Sequence, residues 1–251
     1  MLAFSSLLGN VEGQNIYRIW YDKPASYWEE ALPVGNGRIA AMVFGDPQLE
    51  QIQLNEETVS AGSPYQNYNE EAKTALPEMR RLIFEGKYEE AQNMAATKIL
   101  SQVGNEMPYQ TVGRLNIRYQ DHKKVNNYYR DLDISNAVAV TRYEVDGVEF
   151  TEETFASFTD QLVIRHIKAS KPGTINCELF FNTPMRDPKR SIYGKKGLRL
   201  EGITHGSRYF PGKVHYCADL DVKHKGGKVI TANDTLLSVQ GASELTLYIS
   251  M

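Results

Sequence analysis

Cysteine is scarce in this sequence, which has only Cys177 and Cys217 among its 251 residues. Two cysteines are too few for a disulfide-rich scaffold or a four-cysteine zinc site, and they leave open whether a single bridge forms. The five histidines show no short metal-binding spacing, and no Gly-x-Ser-x-Gly segment marks a nucleophilic serine. The sequence therefore predicts neither a bound metal nor a cofactor.

Excess basic charge and long apolar runs are lacking as well. The chain has 28 basic and 31 acidic residues, a net charge of −3, so no basic field favours nucleic acid. The apolar segment 1–9 is too short to cross a bilayer, and it resembles the end of a secretory signal peptide without the basic part. We therefore expect residues 1–15 to be a signal-peptide remnant or a disordered N-terminus. If this segment is a signal-peptide remnant, we expect export to a periplasm or to the extracellular space. We expect no nucleic-acid partner and no membrane span.

Short segments in which apolar and polar residues alternate make up most of the chain. Residues 115–119 and 162–167 follow this period of two, which is typical of strands. Turn signals at 146–147, 171–173 and 226–227 separate such segments. Strands and turns at regular spacing, without repeated strand–helix alternation, predict a mainly β fold. We expect a large antiparallel β-sandwich as one domain over residues 16–251.

Two segments follow the helical period instead. Apolar residues between 72 and 83 recur at i, i+3 and i+4, with Asn69 as the expected N-cap and a kink or a restart of the helix expected at Pro77. Gly86 is expected to end this helix, and residues 88–99 supply the apolar face of a second one. The pattern predicts a helical hairpin inserted in the sandwich.

Several patterns suggest chemistry but have simpler interpretations. The segment GNGRIA at 35–40 matches a dinucleotide fingerprint, yet a strand rather than a helix follows, so we expect a tight turn. Five pairs of adjacent glutamates are expected to be solvated, since general acid–base catalysis needs carboxylates that converge on one bond. Glu56 is the exception, because it ends a predicted strand where loops carry function. The basic residues of 186–199 are expected to lie in a solvated loop.

A set of motifs along the chain resembles the opening signature of family 95 glycoside hydrolases, the inverting α-L-fucosidases. The motifs are WY at 20–21, WEEALPVGNGRIAAMVFG at 28–45, IQLNEET at 52–58, YQ at 109–110, GRL at 113–115, YRDLD at 129–133 and FASFTDQL at 155–162. From about residue 16 to its end, the chain resembles the N-terminal β domain of that family. The sequence departs from the family in one place, since the segment 58–62 after the LNE motif contains no tryptophan.

The resemblance implies a division of labour between two domains. In that family the N-terminal sandwich packs on an α/α barrel, which holds the general acid and the residues that activate water. Nothing in this chain corresponds to the barrel, and the chain ends within an apolar strand pattern at 245–251. We therefore expect a longer parent protein, with a C-terminal α/α barrel and a fucosylated glycan as partners. We expect no catalytic residue in this chain, and we expect the chain alone to be inactive. The identity of the glycan stays open.

Five residues are candidates for the rim of the sugar pocket or for the interface with the barrel: Trp28, Asn36, Arg38, Asn55 and Glu56. They belong to the motifs above and cluster at predicted strand ends, where polar loops brace neighbouring loops. The alternative is that they only stabilise local turns. An autonomous carbohydrate-binding module is the alternative for the whole chain, because its 15 tyrosines and two tryptophans suit the apolar faces of sugars. β-Sandwiches also use tyrosine in ordinary strands.

Overall fold

A computed structural model describes residues 17–62, 66–101, 107–206 and 211–251. The predicted signal-peptide remnant at 1–15 lies outside these residues. Within them the chain forms the following strands: β1 Arg18–Tyr21, β2 Leu32–Gly35, β3 Ile39–Val43, β4 Leu49–Glu56, β5 Gly113–Tyr119, β6 Val125–Asp133, β7 Val138–Val145, β8 Val148–Ser157, β9 Leu162–Ala169, β10 Ile175–Asn182, β11 Arg186–Tyr193, β12 Gly197–Ile203, β13 His215–Lys225, β14 Lys228–Asn233, β15 Leu236–Ala242 and β16 Glu244–Ser250.

The strands of the described residues form two antiparallel sheets that pack face to face. One sheet has nine strands in the order β1-β6-β7-β8-β9-β16-β13-β12-β11, and the other has seven in the order β14-β15-β10-β5-β4-β3-β2. Alternation along each strand sends one set of side chains inward, as Ile52 and Leu54 in β4 and Leu245 and Leu247 in β16 show by their complete burial. The predicted antiparallel β-sandwich is confirmed.

The turn signals of the sequence lie between strands. Asp146 and Gly147 have positive φ angles of 49° and 73° and connect β7 to β8 in a tight hairpin. Gly226 and Gly227, with φ angles of 71° and 61°, connect β13 to β14. Positive φ favours glycine, so these dipeptides fix where the chain reverses.

The helical hairpin is inserted between β4 and β5. Helix α1 spans Ala72–Phe84 and α2 spans Tyr88–Met94, with one π-helical turn at Ala95–Ile99. Asn69 does not cap α1, because Glu71 directly precedes the helix; the Asn69 side chain accepts the Glu71 N–H and donates to the main-chain oxygen of Thr97. Pro77 lies inside α1, which continues to Phe84. None of the helices in the described ranges is both long and apolar enough to cross a membrane.

The basic residues of 186–199 form a hairpin rather than the predicted loop. They lie on β11, on β12 and in the turn between them at 194–196, and β11 is an edge strand of the nine-stranded sheet. Pro188 is tolerated there because one side of an edge strand needs no ladder hydrogen bonds. The side chains of β11 are mostly exposed, as expected for a solvated segment.

Candidate functional site

The turn between β2 and β3 ties the two sheets together. The Asn36 side-chain oxygen accepts the N–H groups of Arg38, at 3.0 Å, and Ile39, at 2.9 Å, while Gly37 has a φ of 96°. The Asn36 amide nitrogen donates to the main-chain oxygen of Ser157 at the end of β8, at 2.9 Å. Asn36 therefore closes its own turn and also holds the end of a strand in the other sheet, 121 positions away.

Arg38 extends this connection with its guanidinium group. Its Nη2 donates to the main-chain oxygen of Met251 at 2.7 Å, and its Nη1 donates to the side-chain oxygen of Gln161 at 3.5 Å. Its Nε lies 3.4 Å from Oε1 of Glu56 in an ion pair. Because the fork of an arginine fixes several partners at once, Arg38 sets the relative positions of three chain segments.

Glu56 ends β4 and has both carboxylate oxygens occupied. Oε1 pairs with Arg38, while Oε2 accepts the N–H of Thr58 at 2.8 Å and its hydroxyl at 2.6 Å. The main-chain oxygen of Glu56 also accepts the hydroxyl of Tyr109 at 3.0 Å. Glu56 is buried, and its contacts shape the path from β4 towards the helical hairpin. Both oxygens of this carboxylate therefore face donors of the protein itself.

The other two candidate residues do not join this cluster. Trp28 lies on the short 3-10 helix Trp28–Glu30 and is 51% exposed; it precedes β2 whereas Asn36 follows β2, so the strand separates them. Asn55 precedes Glu56 on β4 and points to the opposite, outer face because side chains alternate. The structure thus brings together Asn36, Arg38 and Glu56. We call these three residues, together with Gln161 and Met251, the end cluster.

Two members of the end cluster were missed by the sequence analysis. Gln161 lies in the turn between β8 and β9, where its φ is 56°, and its amide donates to the main-chain oxygen of Phe158 at 2.7 Å. This bond orients the Gln161 side chain so that its oxygen accepts from Asn36 and Arg38. The only signal was its place at the end of the FASFTDQL motif. Met251 contributes a main-chain oxygen, which no side-chain pattern reveals.

The segment that carries Trp28 is held by a buried arginine of the YRDLD motif. Arg130 on β6 donates from Nη1 to the main-chain oxygen of Glu30, at 2.7 Å, and from Nε to that of Lys23, at 2.8 Å. Its guanidinium carbon lies 4.1 Å from the centre of the Tyr21 ring. Arg130 therefore holds the 3-10 helix through the main-chain oxygen of Glu30, while the Trp28 side chain stays half exposed.

A second charged cluster lies between the sheets, and the sequence analysis missed it. Arg165 on β9 is fully buried; its Nη2 donates to Glu50, at 2.7 Å, and to Glu152, while Nη1 donates to the Thr154 hydroxyl at 2.7 Å. The expectation that the Glu152–Glu153 pair is solvated is wrong for Glu152, which lies on the inward face of β8. The signal was the period of two in β9, which places Arg165 on the same face as Val163 and Ile167. We call Glu50, Glu152 and Arg165 the core cluster.

Aromatic groups complete the core cluster. The hydroxyls of Tyr119 and Tyr143 donate to Oε1 of Glu152 at 2.9 and 2.6 Å, and burial raises the pKa of both tyrosines well above its usual value. His122 stacks on Tyr119, and burial lowers its pKa. These groups are enclosed, so the core cluster has no access to a glycan and stabilises the packing of the sheets.

Gly45, which ends the VFG part of the second motif, connects to the core cluster through Glu50. The N–H groups of Phe44 and Gly45 donate to the Glu50 carboxylate at 3.1 and 2.9 Å. Gly45 has a φ of 75°, and its main-chain oxygen accepts the Tyr128 hydroxyl at 2.6 Å. A Cβ at Gly45 would lie 2.8 Å from that hydroxyl oxygen, which explains why glycine is required there.

The cysteines and the acidic residues offer no metal site in the described part of the chain. No three His, Cys, Asp or Glu side chains come together there as metal ligation requires. Cys177 and Cys217 are both free thiols. Burial raises the pKa of Cys177 above its usual value and that of Cys217 to about 11, so neither thiol is activated as a nucleophile.

Comparison with known families identifies the domain. Residues 19–251 match the family model described as glycosyl hydrolase family 65, N-terminal domain. The chain belongs to this family. The prediction of a glycoside hydrolase N-terminal domain is thereby confirmed, although the matching model carries the number 65, whereas the motifs resemble family 95.

Three curated relatives of this glycoside hydrolase domain are named as fucosidases. Alpha-L-fucosidase 2 of Arabidopsis thaliana is 37% identical over 266 residues, which cover 96% of this chain and 31% of that protein. Probable alpha-fucosidase A of Aspergillus niger is 26% identical, with coverages of 61% and 20%. The Aspergillus oryzae protein of the same name is 25% identical, with coverages of 79% and 28%. The chain therefore spans less than a third of the length of each of these relatives.

Proposed function

We propose that this chain is the non-catalytic N-terminal domain of an exported, inverting α-L-fucosidase of family 95 type. In this proposal a C-terminal α/α barrel holds the catalytic groups and removes terminal α-L-fucosyl residues from glycans. The observation that carries the proposal is the extent of similarity to Alpha-L-fucosidase 2, which covers 96% of this chain but only 31% of the relative. The larger remainder of such a protein is where the chemistry is expected.

The placement of carboxylates supports a non-catalytic role. Glu56 has Arg38 on one oxygen and Thr58 on the other, and Glu50 and Glu152 are enclosed with Arg165. A glycosidase of this kind needs one carboxylic acid and one base on opposite sides of an accessible glycosidic bond. Glu50, Glu56 and Glu152 are thus all bound to other groups of the protein, which supports a structural role for them.

The end cluster and the helical hairpin supply a surface for the catalytic domain. The end cluster holds the main-chain oxygen of Met251, so chain that continues beyond this residue would leave beside Arg38 and Glu56. The hairpin joins the same end of β4 and exposes apolar side chains: Ile83, Phe84, Tyr88 and Leu100, with Phe84 89% exposed. Large apolar side chains that stay exposed in this way support a role of the hairpin in an interaction surface.

The proposal is tested by comparing two lengths of the protein on 2′-fucosyllactose. One protein is the 251-residue chain, and the other continues to the full length of its fucosidase relatives. We expect the longer protein alone to release fucose, with β-fucose as the first product in proton NMR because inversion changes the anomeric configuration. Hydrolysis by the 251-residue chain, or release of α-fucose by the longer protein, would contradict the proposal.

Export is the part of the proposal that depends on the N-terminus. The apolar residues 1–9 support it, because they resemble the end of a signal peptide. The natural protein, followed by fractionation of its source cells, should be found outside the cytoplasm. Recovery in the cytoplasmic fraction would contradict export and leave the assignment of the activity untouched.

A further inference from the structure

Two aromatic rings stack on the outer face of the nine-stranded sheet. Trp20 on β1 is 61% exposed, and its ring centre lies 6.3 Å from that of Tyr129 on β6, with an angle of 19° between the rings. The register pairs Trp20 with Asp131, so Tyr129 is its diagonal neighbour on the same face. A tryptophan that is mostly exposed and stacked on a second ring presents an apolar ring face to solvent.

A cavity of about 330 Å³ is lined by Tyr129, the second ring of this pair. Six of the residues that line it are Asn127, Tyr129, Arg142, Glu144, Glu149 and Thr151. The register explains this grouping, because Tyr129 pairs with Arg142 and Arg142 pairs with Thr151 across adjacent strands. Alternation therefore places one aromatic ring, one guanidinium group and one hydroxyl in a row on the outer face.

The charges around the cavity select against an anionic ligand. Arg142 is matched there by Glu144 and Glu149, which pair directly across β7 and β8. The side-chain amide of Asn127 donates to Glu144 at 2.9 Å and holds that carboxylate in place. The cavity thus offers donors and acceptors without excess positive charge. Sugar hydroxyls both donate and accept, and the C–H face of a pyranose packs on an aromatic ring.

We propose that Trp20, Tyr129, Arg142, Glu144 and Glu149 form a binding site for a neutral oligosaccharide. The aromatic pair is the platform for one pyranose face, and the charged groups bind hydroxyls at its edge. The site is separate from the end cluster, because Thr151 and Ser157 lie roughly 20 Å apart along β8 at the usual rise per residue. Only the choice of a fucosylated probe rests on the proposed function.

The test is a calorimetric titration of the 251-residue chain with 2′-fucosyllactose, with lactose and inorganic phosphate in parallel. We expect saturable binding of an oligosaccharide and none of phosphate. Trp20→Ala and Arg142→Ala should each weaken binding at least about tenfold, which is ~1.4 kcal/mol. Tyr193→Ala is the matched control, because it removes an aromatic ring 4.3 Å from Arg199 near the opposite edge of the same sheet.

Thermal unfolding of each variant separates a lost site from a lost fold. Trp20→Phe and Arg142→Lys serve as second variants, and we expect Trp20→Phe to retain more affinity than Trp20→Ala. Absence of oligosaccharide binding, binding of phosphate instead, or equal loss in Tyr193→Ala would overturn the site. Binding of lactose as tight as that of 2′-fucosyllactose supports a site for neutral sugars without fucose selectivity. Loss of binding in Trp20→Ala with hydrolysis by the longer protein intact would support the site and leave the proposed function standing.

Discussion

The core cluster and the end cluster use the same pair of residue types in opposite environments. In the core cluster, Arg165 meets Glu50 and Glu152 with almost no exposure of any of the three side chains. In the end cluster, the Arg38 side chain is 41% exposed where it meets Glu56. A buried charge that loses its partner remains without solvent, whereas a partly exposed one regains water. The first cluster therefore governs stability, and the second governs the position of chain segments.

The largest effect is expected from removing the arginine of the core cluster. Arg165→Met leaves Glu50 and Glu152 buried together without a cation, which should lower the free energy of unfolding by about 3–5 kcal/mol. Urea unfolding followed by circular dichroism measures this change. Arg38→Met is the matched control, and we expect a smaller loss of about 1–2 kcal/mol, because Glu56 keeps its two bonds to Thr58. Equal losses in the two variants would mean that burial does not distinguish the clusters.

Glycines beside the two clusters extend the comparison to the backbone. Gly45 and Gly37 both have positive φ angles, but a Cβ at Gly45 meets the Tyr128 hydroxyl whereas a Cβ at Gly37 meets nothing within 4 Å. Gly45→Ala should cost roughly 2–4 kcal/mol, because strain and overlap add, and Gly37→Ala about 1–2 kcal/mol from strain alone. The difference in unfolding midpoint between the two variants checks this. A larger loss at Gly37 would contradict the packing around Gly45.

The end cluster is expected to affect activity more than stability. In the longer enzyme, Arg38→Ala and Glu56→Gln should reduce kcat/KM by less than about tenfold, since a displaced supporting segment moves reacting groups slightly. Removal of a general acid costs roughly 10²–10⁴-fold instead. Activity is measured on 2′-fucosyllactose and on an aryl fucoside with an activated leaving group. A loss of that larger size for Glu56→Gln, rescued by the activated substrate, would place a catalytic acid in this chain.

The smallest effect is a pH dependence that arises beside the core cluster. Burial lowers the pKa of His122 below its usual value of 6.5, so the unfolded chain binds a proton at a higher pH than the folded chain. Stability is therefore full above about pH 6.5 and falls as the pH drops towards the folded pKa. His122→Gln should flatten this part of the stability curve between pH 7 and pH 5 in urea unfolding. His166→Gln is the control, since His166 is half-buried and bonds to Thr246 on the outer face.

Local patterns in the sequence were sufficient for many elements of this fold, but not for the hairpin of β11 and β12. Period-two alternation located β5 and β9, and the Asp146-Gly147 pair located a hairpin, because both signals depend only on neighbouring residues. The GNGRIA segment was interpreted correctly as a turn, since the residues after it form a strand. Motif similarity then indicated a glycoside hydrolase domain. These inferences need no knowledge of which strands pair.

Tertiary structure decided which polar residues are structural and which are accessible. Alternation shows that Glu152 and Glu153 point to opposite faces, but only the packing of the two sheets makes one of those faces the interior. Arg165 and Glu50 are 115 positions apart, and Asn36 and Ser157 are 121 apart, so no local pattern connects them. Asn55 and Glu56 are adjacent in sequence, but alternation places them on opposite faces of β4, and only Glu56 joins the end cluster. The sequence by itself determined most of the strands and turns and indicated a glycoside hydrolase N-terminal domain, whereas the desolvation of particular charges depends on contacts between distant strands and was decided only when the sheets packed.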